Sequence, residues 1–150
     1  MEKAFPAAFV LLALYCARTD LRSLRIPDRA LLAFAVPALA IDLLEGGASY
    51  ARFAAALASG LALWGAGRLS RAGMGFGDVK LGAAGGYALG FFGAWTMLAV
   101  AAAAGLVAFA VRGKRGREGR LPFAPFLALG AVAGAIVAMK AGIDPLSIDR

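Results

Sequence analysis

Five apolar runs separated by arginines and glycines limit the folds open to this chain more than any other feature. They cover roughly residues 4–17, 30–44, 53–67, 81–111 and 121–139. Water is the wrong solvent for such a pattern. Hydrophobic residues make up 61% of the 150 and charged ones 17%, with a mean hydropathy of +0.76, which excludes an ordinary soluble domain of this length. In lipid, backbone N–H and C=O groups must find partners within the protein, and helices supply them. The expectation is therefore all-α: one membrane-embedded domain over residues 1–150, built as a polytopic helix bundle.

A straight crossing of the hydrocarbon core takes about 20 residues. The first three runs are shorter, so flanking residues must complete the helices while Arg18, Arg29, Arg52 and Arg68 snorkel to the interface. The fourth run is too long for one ordinary span, and Gly90-Phe91-Phe92-Gly93 near its middle predicts a tight turn between two short ones. Charge counting tests this division. With six spans, the loops after the first, third and fifth carry Arg18, Arg22, Arg25, Arg29, Arg68, Arg71, Lys80, Arg112, Lys114, Arg115, Arg117 and Arg120. The opposite side keeps Lys3, Arg52, Lys140 and Arg150, a split of 12 against 4; a single span over residues 81–111 would give 9 against 7. The positive-inside rule selects six spans, with both termini on the non-cytoplasmic side.

The first run also has the charged start and small residues of a secretory signal. It lacks a clean small-x-small cleavage pattern, and Tyr15 before Cys16 spoils a lipoprotein-type site, so it reads as a span. The net charge of +7 belongs to the loops between hydrophobic runs and reads as topology, with the bilayer and not nucleic acid as partner. The Arg112–Arg120 loop reads the same way, with contact to anionic lipid or to acidic groups of a substrate as the alternative. Gly86-x-x-x-Gly90 and Gly130-x-x-x-Gly134 read as places where helix backbones approach closely.

Chemistry has few sources here. Histidine is absent and Cys16 is the only cysteine, which removes the usual zinc, iron-sulfur and thiol-histidine sets; no metal or other cofactor is expected. Carboxylates remain. Asp78 follows the glycine-spaced stretch Gly73-Met74-Gly75-Phe76-Gly77, whose Gly75 and Gly77 permit positive φ and close backbone approach and so can turn the acid inward. The helix that follows places partial positive charge near it, which favours an ionised Asp78. Lys80 reads as a snorkelling cation, or as one that contacts substrate or tunes the acid. Asp20 lies in Arg18-Thr19-Asp20-Leu21-Arg22; by itself it reads as an interfacial charge balanced by arginines, but charge counting puts it on the same cytoplasmic face as Asp78. Asp28, after Pro27 and before an apolar run, reads as the N-cap of the second helix. Asp42 and Glu45 lie near the outer end of that helix, within easy reach of the headgroups, and are assigned no chemistry.

Two carboxylates in a partly desolvated site that approach within hydrogen-bonding range cannot both ionise easily, so they share a proton and titrate as a pair. The charged member draws a proton from water while the protonated one polarises a scissile carbonyl, the aspartic-protease division of labour. At this point the residues resemble a known family. Asp20 followed by Ile26-Pro27-Asp28, the box Gly75-Phe76-Gly77-Asp78-Val79-Lys80, and Leu121-Pro122-Phe123-Ala124-Pro125-Phe126 look, in that order, like the blocks of the type IV prepilin peptidases. Presenilin-like proteases share the G-x-G-D box but pair it with a Tyr-Asp motif that this chain lacks.

The resemblance spans nearly the whole chain. It implies Asp20 and Asp78 as catalytic aspartates and Gly75 and Gly77, with Lys80 beside them, as support of the catalytic loop. The implied substrate is a prepilin or pseudopilin, cut at the cytoplasmic face of the inner membrane by a multi-pass enzyme. The paired Cys-x-x-Cys segment of bifunctional members is missing, which implies peptidase activity without N-methylation, as in the short branch similar to Flp/Tad-type enzymes; archaeal preflagellin peptidases are short as well. A different class of reading makes the chain a small transporter or channel subunit that binds cations or protons at Asp20 and Asp78.

Overall fold

The computed structural model describes residues 4–23, 25–44, 50–69, 75–112 and 122–141. Every element among them is helical: α1 (Ala4–Ser23), α2 (Asp28–Leu44), α3 (Tyr50–Leu69), α4 (Phe76–Arg112) and α5 (Ala124–Ala141). The helices outrun the apolar runs because a helix carries polar residues for a turn or more beyond the hydrocarbon. This is why Asp20 falls within the last turns of α1 and Asp78 within the first turn of α4. Two helices, Ala4–Ser23 and Phe76–Val111, are long and apolar enough to cross a membrane, the second with residues to spare.

α4 is not one rod. Gly90 breaks it with φ 67° and ψ −176°, a backbone state that side-chain-bearing residues rarely adopt, and it is the positive-φ glycine among the described residues. The break reverses the chain. In a straight helix Gly85 and Met97 would stand about 18 Å apart, yet a Cβ placed on Gly85 would lie 2.7 Å from Met97 Cε. The expected turn is therefore present, and it is narrower than predicted: Phe91 and Phe92 are already helical and exposed. Gly90 acts as the hinge and has nothing within packing distance, so it does not serve the close approach expected of Gly86-x-x-x-Gly90. Gly86 does, against the backbone of Ala55, and so do Gly130 and Gly134, against the backbones of Met97 and Gly93.

The core forms where α1, both limbs of α4 and α5 meet, around Phe9, Cys16, Leu81, Met97 and Leu127, all essentially without exposure. α3 packs along α4, where Ser59 Oγ donates to Gly82 O at 2.9 Å across the contact. α2 stands at the margin, packed against α1 and α4 and joined to α3 through the side chains of Asp42 and Arg52. The outer skin is apolar, with Leu11, Val36, Leu57, Leu61, Leu106 and Val107 all more than half exposed. That is the surface of a protein solvated by lipid.

Candidate active site

Asp20 sits one turn after Cys16 on the face of α1 that carries Ala13 and Ala17 into the core, and this periodicity turns its carboxylate inward. It is 7% exposed, whereas Arg18 and Arg22 on either side face outward. Among the described residues Asp20 forms no ion pair with its neighbouring arginines. Its Oδ2 instead accepts a hydrogen bond from the backbone N–H of Ala124, at 3.3 Å. The interfacial-charge reading of Asp20 gives way to a buried acid at the amino end of α5.

Asp78 is 8% exposed. Its backbone N–H donates to Gly75 O at 3.0 Å, closing the turn that starts α4. Its side-chain Oδ1 is buried with no hydrogen-bond partner, an arrangement that native structures rarely keep without a use for it. The Asp20 carboxylate is near enough to act electrostatically on Asp78.

The glycines of the box work differently from the sequence expectation. Neither Gly75 nor Gly77 has a positive φ; both are needed for space. A Cβ on Gly77 would stand 2.9 Å from Ile26 Cβ, and one on Gly75 would stand 3.2 Å from Asp78 Oδ2. Gly77 thus lets the Ile26-Pro27-Asp28 segment close against the start of α4, which ties two of the three sequence blocks together. Gly73 and Met74 lie outside the described residues, as do Glu45, Leu121 and the basic loop from 113 to 120.

Lys80 does not turn toward Asp78. Its Nζ donates to Asp28 Oδ1 at 2.6 Å and lies 5.4 Å from the centre of the Phe76 ring. Asp28 occupies the first helical position of α2, and its carboxylate serves this ion pair instead of the backbone cap expected of it. The pair stands at the end of an apolar cavity of about 510 Å³ between α2, α3 and α4, lined by Leu31, Phe34, Phe53 and Tyr87 among others. Neither Asp20 nor Asp78 lines that cavity.

A third buried acid was not legible as one. Asp42, expected at the headgroups, is 5% exposed. Its Oδ1 accepts from Arg52 Nη1 at 2.5 Å and its Oδ2 from Tyr87 Oη at 2.6 Å. Arg52 in turn stacks over Phe5, 4.7 Å from its ring centre. Arg52 therefore does not simply snorkel. The available signal was an acid closing one helix and an arginine opening the next across a short loop.

The site residues present two buried carboxylates, one hydrogen-bonded and one with a bare oxygen, at the carboxyl end of α1 and the amino ends of α4 and α5. Such a pair can share one proton and pass it between a water and a carbonyl. Among the described residues no three metal-ligating side chains converge. In comparisons with known proteins, neither a curated protein nor a solved structure matches the chain. A family model does match, over residues 7–111, a range that holds Asp20, the glycine box and Asp78 but ends before α5. Over that range, which is most of its length, the chain belongs to the type IV leader peptidase family.

Proposed function

We propose that this protein is a membrane aspartic endopeptidase that removes the basic leader from a prepilin or pseudopilin at the cytoplasmic face of the inner membrane. Membership of the leader peptidase family supports a peptidase. The observation that carries the aspartic mechanism is the pair of buried carboxylates, with Asp78 Oδ1 left bare where a substrate carbonyl or a water would complete it. A nucleophilic side chain is not needed. Asp20 and Asp78 activate a water, and the glycine box keeps Asp78 against the Ile26 segment. Within these 150 residues Cys16 is the only cysteine, so the reading is cleavage without N-methylation.

The topology in this reading is six spans with both termini outside. The Ala124–Asp20 bond favours it, because the end of α1 and the start of α5 then share a side only if α4 crosses twice. The basic loops fall on that side too. A transporter would place its acids near mid-membrane, whereas Asp20 and Asp78 lie at helix ends. Depth therefore favours hydrolysis over ion passage.

Co-expression with a candidate prepilin tests the proposal. The native chain is expected to release a shortened pilin, and Asp20→Asn and Asp78→Asn each to abolish release while still inserting in the membrane. Normal processing by both variants would overturn the dyad mechanism.

A further inference from the structure

The third sequence block, Pro122 to Phe126, has no role in the mechanism so far, and the structure assigns it one. We propose that the amino end of α5 is part of the peptidase site: the Ala124 N–H holds Asp20 as the carboxylate that takes a proton from water, leaving Asp78 to carry the proton that goes to the scissile carbonyl. This rests on the peptidase reading above and adds a positioning residue and a division of roles.

The donors at the start of α5 leave little choice. A helix begins with four N–H groups that have no partner within it. In α5 the second position is Pro125, which has no N–H, while Phe126 N–H and Leu127 N–H both donate to Phe123 O, at 3.0 and 3.2 Å. Ala124 is the one first-turn amide not used locally, and it points at Asp20 Oδ2. Ala124 is fully buried, so water does not compete for that amide. At 3.3 Å the bond is long, as catalytic hydrogen bonds often are before substrate arrives.

Asp78 is also at a helix amino end, its own, and the sequence expectation of an ionised Asp78 came from that. The two sites differ in where the amides go. The Asp78 backbone N–H is consumed by Gly75 O; the Gly75 backbone is the donor near its carboxylate, beside Oδ2, and the buried Oδ1 receives none. A hydrogen bond donated to a carboxylate favours its charged form, and a bare buried oxygen disfavours it. With one proton between the two acids, the amide on Asp20 and the bare Oδ1 of Asp78 assign it to Asp78.

The reaction then balances. Water oxygen bonds to the carbonyl carbon, its proton passes to Asp20, and the Asp78 proton passes to the carbonyl oxygen, giving a gem-diol with Asp20 protonated and Asp78 charged. As the C–N bond breaks, Asp20 returns its proton to the leaving nitrogen and Asp78 takes one from a hydroxyl. The products are a carboxylic acid and an amine, and the dyad recovers its single proton in the starting position.

The test uses the full-length chain in lipid nanodiscs with a prepilin as substrate. Replacing Ala124 by its α-hydroxy analogue turns one amide into an ester and removes that N–H with almost no change of shape. The expected result is a fall in kcat of about 10- to 100-fold, the scale of a lost hydrogen bond to a charged group, with KM unchanged and the protein still folded, its unfolding temperature lowered modestly because the Phe123 ester carbonyl also accepts less strongly from Phe126 and Leu127. Ala124→Gly, which keeps the N–H, is expected to retain kcat within about threefold. An ester enzyme with native kcat would overturn the positioning role. A native chain that cleaves no prepilin would instead sink the peptidase reading, and this inference with it. Independently of activity, the infrared band of a protonated carboxyl in the native chain is expected to vanish in Asp78→Asn; its survival there would overturn the assignment of the proton.

Discussion

The two ends of the bundle each bury aspartate, and they treat it in opposite ways. At one end Asp42 has a partner for each oxygen, Arg52 and Tyr87, and Arg52 is itself covered by Phe5. At the other, Asp20 has a single backbone N–H and Asp78 Oδ1 has nothing. Desolvating a carboxylate costs several kcal/mol in either place unless it is paired. The Asp42 end meets that cost with a closed network joining α1, α2, α3 and α4, which makes it a structural lock. The Asp20–Asp78 end leaves part of it unmet, and an unmet hydrogen bond is what a substrate can complete.

The sharpest way to break this contrast is to remove the acids and measure activity and stability separately. Asp78→Asn is expected to lower leader cleavage by about a thousandfold or more, as loss of a general acid does, with little loss of thermal stability because its buried Oδ1 has no partner to lose. A large drop in unfolding temperature with activity retained would place Asp78 with Asp42 as structural. The opposite expectation holds at the lock. Arg52→Ala leaves Asp42 buried and unpaired and is expected to cost about 3–5 kcal/mol of stability. Thermal unfolding in mild detergent reads this, and the folded fraction is expected to cleave normally.

Smaller effects sharpen the boundary between the two regions. Gly77→Ala drives a Cβ to 2.9 Å from Ile26 Cβ, so the connection before α2 must shift; about 1–3 kcal/mol of stability and part of the cleavage rate are expected to go. Comparing processing with unfolding temperature checks whether the shift reaches Asp78. Lys80→Met removes an ion pair whose partners are 41% and 65% exposed, and such pairs contribute about 1 kcal/mol or less. Cleavage is expected to stay within about threefold of native. A loss as deep as that of Asp78→Asn would return Lys80 to the catalytic machinery.

Much of this was readable along the chain, and the parts that were not share a cause. The turn within α4 was legible because 31 residues between Leu81 and Val111 exceed one membrane crossing and Gly90 is a residue able to reverse it. Asp78 was legible because its glycines stand beside it in sequence. Asp42 was misread because its partners come from two other helices: Arg52 is ten residues on and Tyr87 forty-five. Gly75 and Gly77 were read for conformation, yet what they meet is Asp78 and Ile26, neighbours that only folding provides.

By itself the sequence determined the solvent and the all-helical class, and it singled out Asp20 and Asp78 as the candidate acids. These follow from composition, from run length against bilayer thickness, and from the cost of charge in lipid, all of which are local quantities. Only the tertiary structure decided which carboxylate oxygens find a partner and which is left bare. A hydrogen bond needs two groups within about 3 Å, and Asp20 finds Ala124 across 104 residues once Gly90 has turned the chain back.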